Sequence, residues 1–186
     1  FPGRRQARPR KAAMTPLERS AVYGGFAAAF RSADGGSDVL DEAMVPPPPP
    51  DAPRAFMAAF DPSISRTAVS LHASAHLERD QTDLYQELIR WYDHFGLKLR
   101  DGGELHDHVS LMLDFLQFLT AQEHANAQDP AALTSLHSAQ ADFITRQVWP
   151  LLEAIAGKLE TDAPRYPAMP RALRAFLDDE LAVLQG

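Results

Sequence analysis

Apolar residues along this chain recur every three to four positions rather than every two. That spacing predicts amphipathic helices, and no Val/Ile/Thr-rich alternating run suggests a strand. Thr15-Pro16-Leu17-Glu18 opens the first helix as a capping box with proline at the first helical position. Tyr23, Phe26 and Phe30 then share a face, and Gly35-Gly36 stops it. Ser37 or Asp38 is expected to cap a short helix through Met44, before the polyproline spacer Pro46–Pro50. Phe56, Met57 and Phe60 mark a helix ended by Asp61-Pro62, and residues 64–78 read as another. Asp80 or Thr82 caps a helix carrying Leu84, Leu88, Trp91, Tyr92 and Phe95, with Gly96 as its C-terminal glycine. A polar loop from Lys98 to Glu104 follows.

The segment 105–122 is apolar most of the way round, through Val109, Leu111, Met112, Phe115, Leu116, Phe118 and Leu119. Such a helix belongs at the centre of a bundle. Asp129-Pro130 starts a long helical pattern that Pro150 should kink or split. A last helix is expected from about Arg171, burying Leu173, Phe176, Leu177, Leu181 and Leu184. The predicted fold is a single all-α bundle of roughly eight to ten helices over 14–186.

Charge and composition refine this picture. Net charge is −7, but residues 1–13 hold Arg4, Arg5, Arg8, Arg10 and Lys11 and no acid. The remainder has 13 basic residues against 25 acidic ones, which disfavours nucleic acid and favours a basic peptide. Residues 1–13 read as a disordered basic extension. Arg4-Arg5 lacks the long apolar run and cleavage site of an export signal. No stretch has the length and apolarity of a membrane span. Without cysteine, the chain has no disulfide, zinc ribbon or thiol nucleophile. It also lacks a Gly-x-Ser-x-Gly elbow and a phosphate-cradling glycine motif. The pairs Gly24-Gly25, Gly35-Gly36 and Gly102-Gly103 read as a flexible helix position, a helix stop and a loop.

The densest polar cluster is Glu104-Leu105-His106-Asp107-His108, at the entry of the central helix. The simplest reading is a solvated helix start with Asp107 as the cap. A functional reading makes Glu104 and Asp107 partners for guanidinium groups and Trp91 a cover for apolar or cationic groups. Trp91 is equally well placed to be core. A different class, an HD-type metal-dependent phosphohydrolase, would use His76, His106, Asp107 and Asp142. His72 and His76, four apart on the expected helix, would be too few ligands for a site. No metal or other cofactor is expected.

Glu-x-x-Asp-His before a strongly apolar helix resembles the signature of the TorD/DmsD/NarJ chaperones of complex iron–sulfur molybdoenzymes. The family version carries prolines between the acid and the Asp-His pair, where this chain has Leu105 and His106. Trp91-Tyr92-Asp93-His94-Phe95-Gly96-Leu97, the 14–30 opening and the run from Phe143 through Trp149 to Phe176-Leu177 and Glu180 are similar too. Ser70–His76 and Leu116–Thr120 look closest to chaperones of dimethyl sulfide, ethylbenzene, chlorate or selenate enzymes, with the nitrate reductase type as competitor. The resemblance implies a cytoplasmic, non-catalytic protein. It implies binding of the twin-arginine leader and apo form of a molybdenum-containing catalytic subunit, with export delayed until cofactor insertion. Carried over residue by residue, it implies peptide-binding roles for Glu104, Asp107, His108 and Trp91; the Pro46–Pro50 run, as a hinge, would permit either a monomer or a domain-exchanged dimer.

Overall fold

The computed structural model describes residues 14–98 and 104–185, so the 1–13 extension and most of the 98–104 loop lie outside the described residues. Seven α-helical segments are present there: α1 Pro16–Arg31, α2 Ala52–Phe60, α3 Gln81–His94, α4 Val109–Ala125, α5 Pro130–Phe143, α6 Trp149–Lys158 and α7 Arg165–Leu184. This is an all-α fold, with fewer helices than the roughly eight to ten expected of such a chain.

The difference lies in two places. Residues 37–44 form turns instead of a helix. Residues 64–78 are irregular apart from a 3-10 turn, Ala73–Ala75. Serine and threonine hydroxyls there compete with helical hydrogen bonds: Ser65 Oγ accepts from Thr67 N and Ser70 Oγ from His72 N. The long pattern expected to kink or split at Pro150 is interrupted just ahead of it. A π-helical turn, Ile144–Val148, separates α5 from α6, and Pro150 falls in the first turn of α6. Such a turn absorbs the bond that proline cannot make. The last helix also starts six residues early, at Arg165.

Helix α1 begins with the predicted box, Thr15 Oγ1 accepting from Glu18 N and Glu18 Oε2 accepting from Thr15 N. Tyr23, Phe26 and Phe30 are all fully buried. Helix α1 packs against α4, which is the most enclosed element. Gly24 is where they approach: a Cβ there would stand 2.7 Å from the Gln117 side chain. The space its missing side chain leaves is taken by the end of the Gln117 amide. Two aromatic clusters tie the bundle together. Phe30, Phe56, Phe60 and Tyr166 join α1, α2 and α7 edge to face. Trp91, Tyr92, Phe95, Phe115 and Phe143 join α3, α4 and α5, with Phe115 and Phe143 only 4.7 Å apart. The proline run is anchored from α7, where buried Arg165 donates to the carbonyls of Pro46 and Gly35.

Candidate functional site at the mouth of the central helix

The entry of α4 is built by a crossing of two chain segments. His72 and His108 form an isolated antiparallel bridge. Ala73 N donates to Asp107 O at 3.0 Å, and Val109 N donates to Leu71 O at 2.9 Å. Leu71, Ala73 and Val109 are buried beneath it. The backbone of 71–73 therefore fixes the turn that leads into α4. Helix α3 supports the same turn from the other side. Tyr92 Oη donates to His106 O at 2.9 Å, and the Tyr85 ring stacks on His106 with centroids 5.6 Å apart. A left-handed Gly96, φ +74°, ends α3 just beyond, with Leu97 N bonded back to Tyr92 O.

The helix cap is His108, not Asp107. His108 Nδ1 accepts from Ser110 N at 3.2 Å and lies 2.7 Å from Ser110 Oγ. Asp107 is instead wholly enclosed. Its Oδ1 lies 3.0 Å from His72 Nδ1, and its Oδ2 accepts from Ser74 N at 2.8 Å. Burial works to raise the Asp107 carboxyl, but the hydrogen bonds from His72 and Ser74 outweigh it and hold it down at about 2. The same bond to Asp107 raises His72 against its own partial burial. His108 is pushed below its ordinary value by burial, with the neighbouring His72 adding to the effect and Glu104 opposing it. The crossing thus holds an ionised Asp107 against a His72 that favours its charged form and a His108 that favours its neutral form.

The expected site residues separate into three environments. Asp107 and His108 are interior parts of one network, so neither carboxylate oxygen of Asp107 is open to a ligand. Glu104 is exposed, with one donor atom within 4.8 Å of donor atoms on His72 and His108. Trp91 lies elsewhere, half-buried against Phe115 and Phe143. The phosphohydrolase set is not gathered. His76 is held by Ser70 O and Lys158, His106 lies on Tyr85, Asp107 faces His72, and Asp142 is exposed on α5.

Beside the mouth is a hollow of about 170 Å³, lined by Tyr92, Leu97, Leu111 and Phe115 and rimmed by Asp114 and Lys98. Tyr92 connects the two features, since its ring lines the hollow while its hydroxyl holds His106. Leu111, Asp114 and Phe115 share one face of α4 by helical spacing. Ser74 and Asp114 are not among the sequence candidates, and His72 enters there only as half of a pair with His76. The histidine at 72 and the aspartate at 107 are far apart in the chain, and only a predicted bridge between their segments would have paired them.

Comparison with known proteins adds to this geometry. The family described as nitrate reductase delta subunit matches residues 37–157. The selenate reductase assembly chaperone protein of Thauera selenatis is 31% identical over 127 residues, covering 66% of this chain and 65% of that protein. The chlorate reductase assembly chaperone protein of Ideonella dechloratans is 29% identical over 113 residues, covering 60% and 58%. The perchlorate reductase assembly chaperone protein of Dechloromonas aromatica (strain RCB) is 31% identical over 104 residues, covering 53% and 46%. The matched region thus spans about half to two thirds of these relatives' lengths. With well over half of its residues inside the family match, the chain belongs to the nitrate reductase delta subunit family.

Proposed function

We propose that this protein is an assembly chaperone that binds the twin-arginine leader and apo form of a molybdenum-containing oxidoreductase subunit, assists cofactor insertion and delays export. It acts in the cytoplasm and catalyses no reaction of its own. Among the described residues, no helix is long and apolar enough to cross a membrane. The domain doing this work is the helical unit 14–186.

The observation that carries the reading is the pairing of an acidic mouth with an apolar hollow through Tyr92. A leader of this type presents two arginines and an apolar stretch. Glu104 and Asp114 are the carboxylates with open faces for guanidinium groups, and bidentate pairing would fix the leader's direction. Leu97, Leu111 and Phe115 would take the apolar part. Asp107 and His108 hold the mouth in shape, and Trp91 supports the hollow from behind through Phe115. The names of the relatives, each an assembly chaperone for a reductase, point the same way.

Isothermal titration with a synthetic twin-arginine leader tests this. The expected result is saturable binding that falls at least tenfold when both arginines become alanine, the loss of two charge-assisted contacts. Equal affinity for the two peptides would reject the reading.

A further inference from the structure

We propose that His72, Glu104 and His108 form a binding site for one divalent transition-metal ion of the zinc type. One donor atom from each lies within 4.8 Å of the other two. Two imidazole nitrogens and a carboxylate oxygen suit zinc, and three protein ligands leave a fourth position for water or a ligand. The proposal goes beyond the chaperone reading and does not rest on it.

Backbone geometry brings the imidazoles together. His72 and His108 are opposite residues of the antiparallel bridge, and their rings meet at right angles with centroids 4.9 Å apart. The crossing is closed by backbone hydrogen bonds on both sides, which hold the two rings close.

Outer partners orient each ring. Asp107 Oδ1 takes the Nδ1–H of His72, so a metal that displaces the Nε2 proton meets a lone pair on a ring already oriented, and Asp107 is itself fixed by Ser74 N. Carboxylate–imidazole–metal arrays have this order. Coordination through His108 Nε2 takes the tautomer with its proton on Nδ1, donated to Ser110 Oγ 2.7 Å away in exchange for the cap bond from Ser110 N. Ligand atoms in a filled tetrahedral site stand about 3.3 Å apart, given metal–ligand lengths near 2 Å. Glu104 is exposed, so rotation of its side chain closes that gap without moving the bridge.

The test uses untagged protein stripped with a chelator, titrated with zinc chloride and, separately, cobalt(II). The expected results are one equivalent of zinc and the intense visible bands of four-coordinate cobalt. Glu104→Gln lies outside the folded interior and should weaken zinc at least tenfold while leaving the circular dichroism spectrum unchanged. His72→Gln should abolish the cobalt bands, and His76→Gln should leave both readouts intact. Absence of saturable uptake, or equal uptake by the parent, Glu104→Gln and His72→Gln, would overturn the site. Leader-peptide titrations into the metal-free protein report on the chaperone reading separately.

Discussion

His72 Nδ1 stands 3.0 Å from Oδ1 of a fully buried Asp107, with the two residues 35 apart in sequence. That one bond joins the irregular 61–80 segment to the entry of the central helix. It also makes stability depend on pH, in a direction that can be worked out.

His72 is raised chiefly by its bond to Asp107, so the folded protein keeps a proton that the unfolded chain releases near pH ~6.5. Its stabilisation is full below that point and is lost as pH climbs through the raised value. His108 is lowered by burial, so the unfolded chain takes a proton that the folded one refuses. Its contribution is full above ~6.5 and is lost as pH falls. Asp107, held at about 2, stabilises fully above about pH 4 and loses its effect toward pH 2. The network's contribution should therefore peak near pH ~6.5 and decline on both sides. Urea unfolding midpoints across the range check this. His72→Gln should flatten the alkaline side and His108→Gln the acid side. A parent midpoint that does not change between about pH 5 and 8 would contradict the account.

Arg19 predicts a larger effect. It is buried in α1 and bonded to Glu180 through Nε at 2.7 Å and to Glu123 through a terminal nitrogen at 2.9 Å, linking α1, α4 and α7. Gln140 on α5 donates to Glu123 at 2.6 Å, adding the fourth helix. Burial would lower the guanidinium's hold on its proton, and the two glutamates more than reverse that. Arg19→Met leaves two buried carboxylates without their partner and should cost about 3–5 kcal/mol. Adding Glu123→Leu and Glu180→Leu should recover most of it, because a well-packed apolar replacement avoids desolvating charge. Chemical denaturation of both variants measures the difference. A single variant as stable as the parent would show the network to be dispensable.

The glycines give a contrast between two positive-φ sites. Gly36, φ +73°, would place a Cβ 2.2 Å from the Gly25 carbonyl oxygen of α1. Gly96, φ +74°, has open space around its absent Cβ. Gly96→Ala should then cost only the left-handed backbone term, about 1–2 kcal/mol. Gly36→Ala forces α1 and its following turn apart and should cost about 3 kcal/mol or more. Thermal unfolding of the two variants ranks them, and a reversed order would rule out the clash.

What the sequence made legible follows the reach of the interactions involved. The Thr15–Glu18 box and the Gly96 terminus are local and form as predicted; of Asp80 and Thr82 it is Asp80 that caps α3, and the expected start at Asp129-Pro130 is capped by Asp129. The buried face of α4 is legible from its composition alone. The 64–78 segment was not, because a helical spacing of Val69, Leu71 and His72 conceals that Leu71 O and Ala73 N pair with the α4 entry instead. The same long reach hid the burial of Arg19, whose partners lie 104 and 161 residues away. At the candidate site, the Glu104–His108 run was visible as a cluster. That Asp107 turns inward and His108 takes the cap depends on His72, Ser74 and Ser110, and no local pattern announces it.

The exposed rim of the hollow offers the most direct prediction about binding. Asp114 is paired with Arg31 of α1, and both side chains are partly open to solvent, 37% and 44% exposed. Burial is the main influence on Asp114 and raises it, while Arg31 opposes that rise. A leader arginine reaching the rim would replace Arg31 as the partner of Asp114. Exposed pairs of this kind add only about 0–1 kcal/mol to stability, so neither residue is needed for folding. Asp114→Asn should weaken the twin-arginine peptide by about 3- to 10-fold, the range of one charge-assisted contact partly screened by water. Arg31→Gln should act in the opposite direction and tighten binding by up to about threefold, since it removes a competitor for the same carboxylate. Titration calorimetry at low salt reads both changes, and raising the salt should shrink them together. If Arg31→Gln weakened the peptide and Asp114→Asn left it unchanged, the guanidinium would have to be received elsewhere.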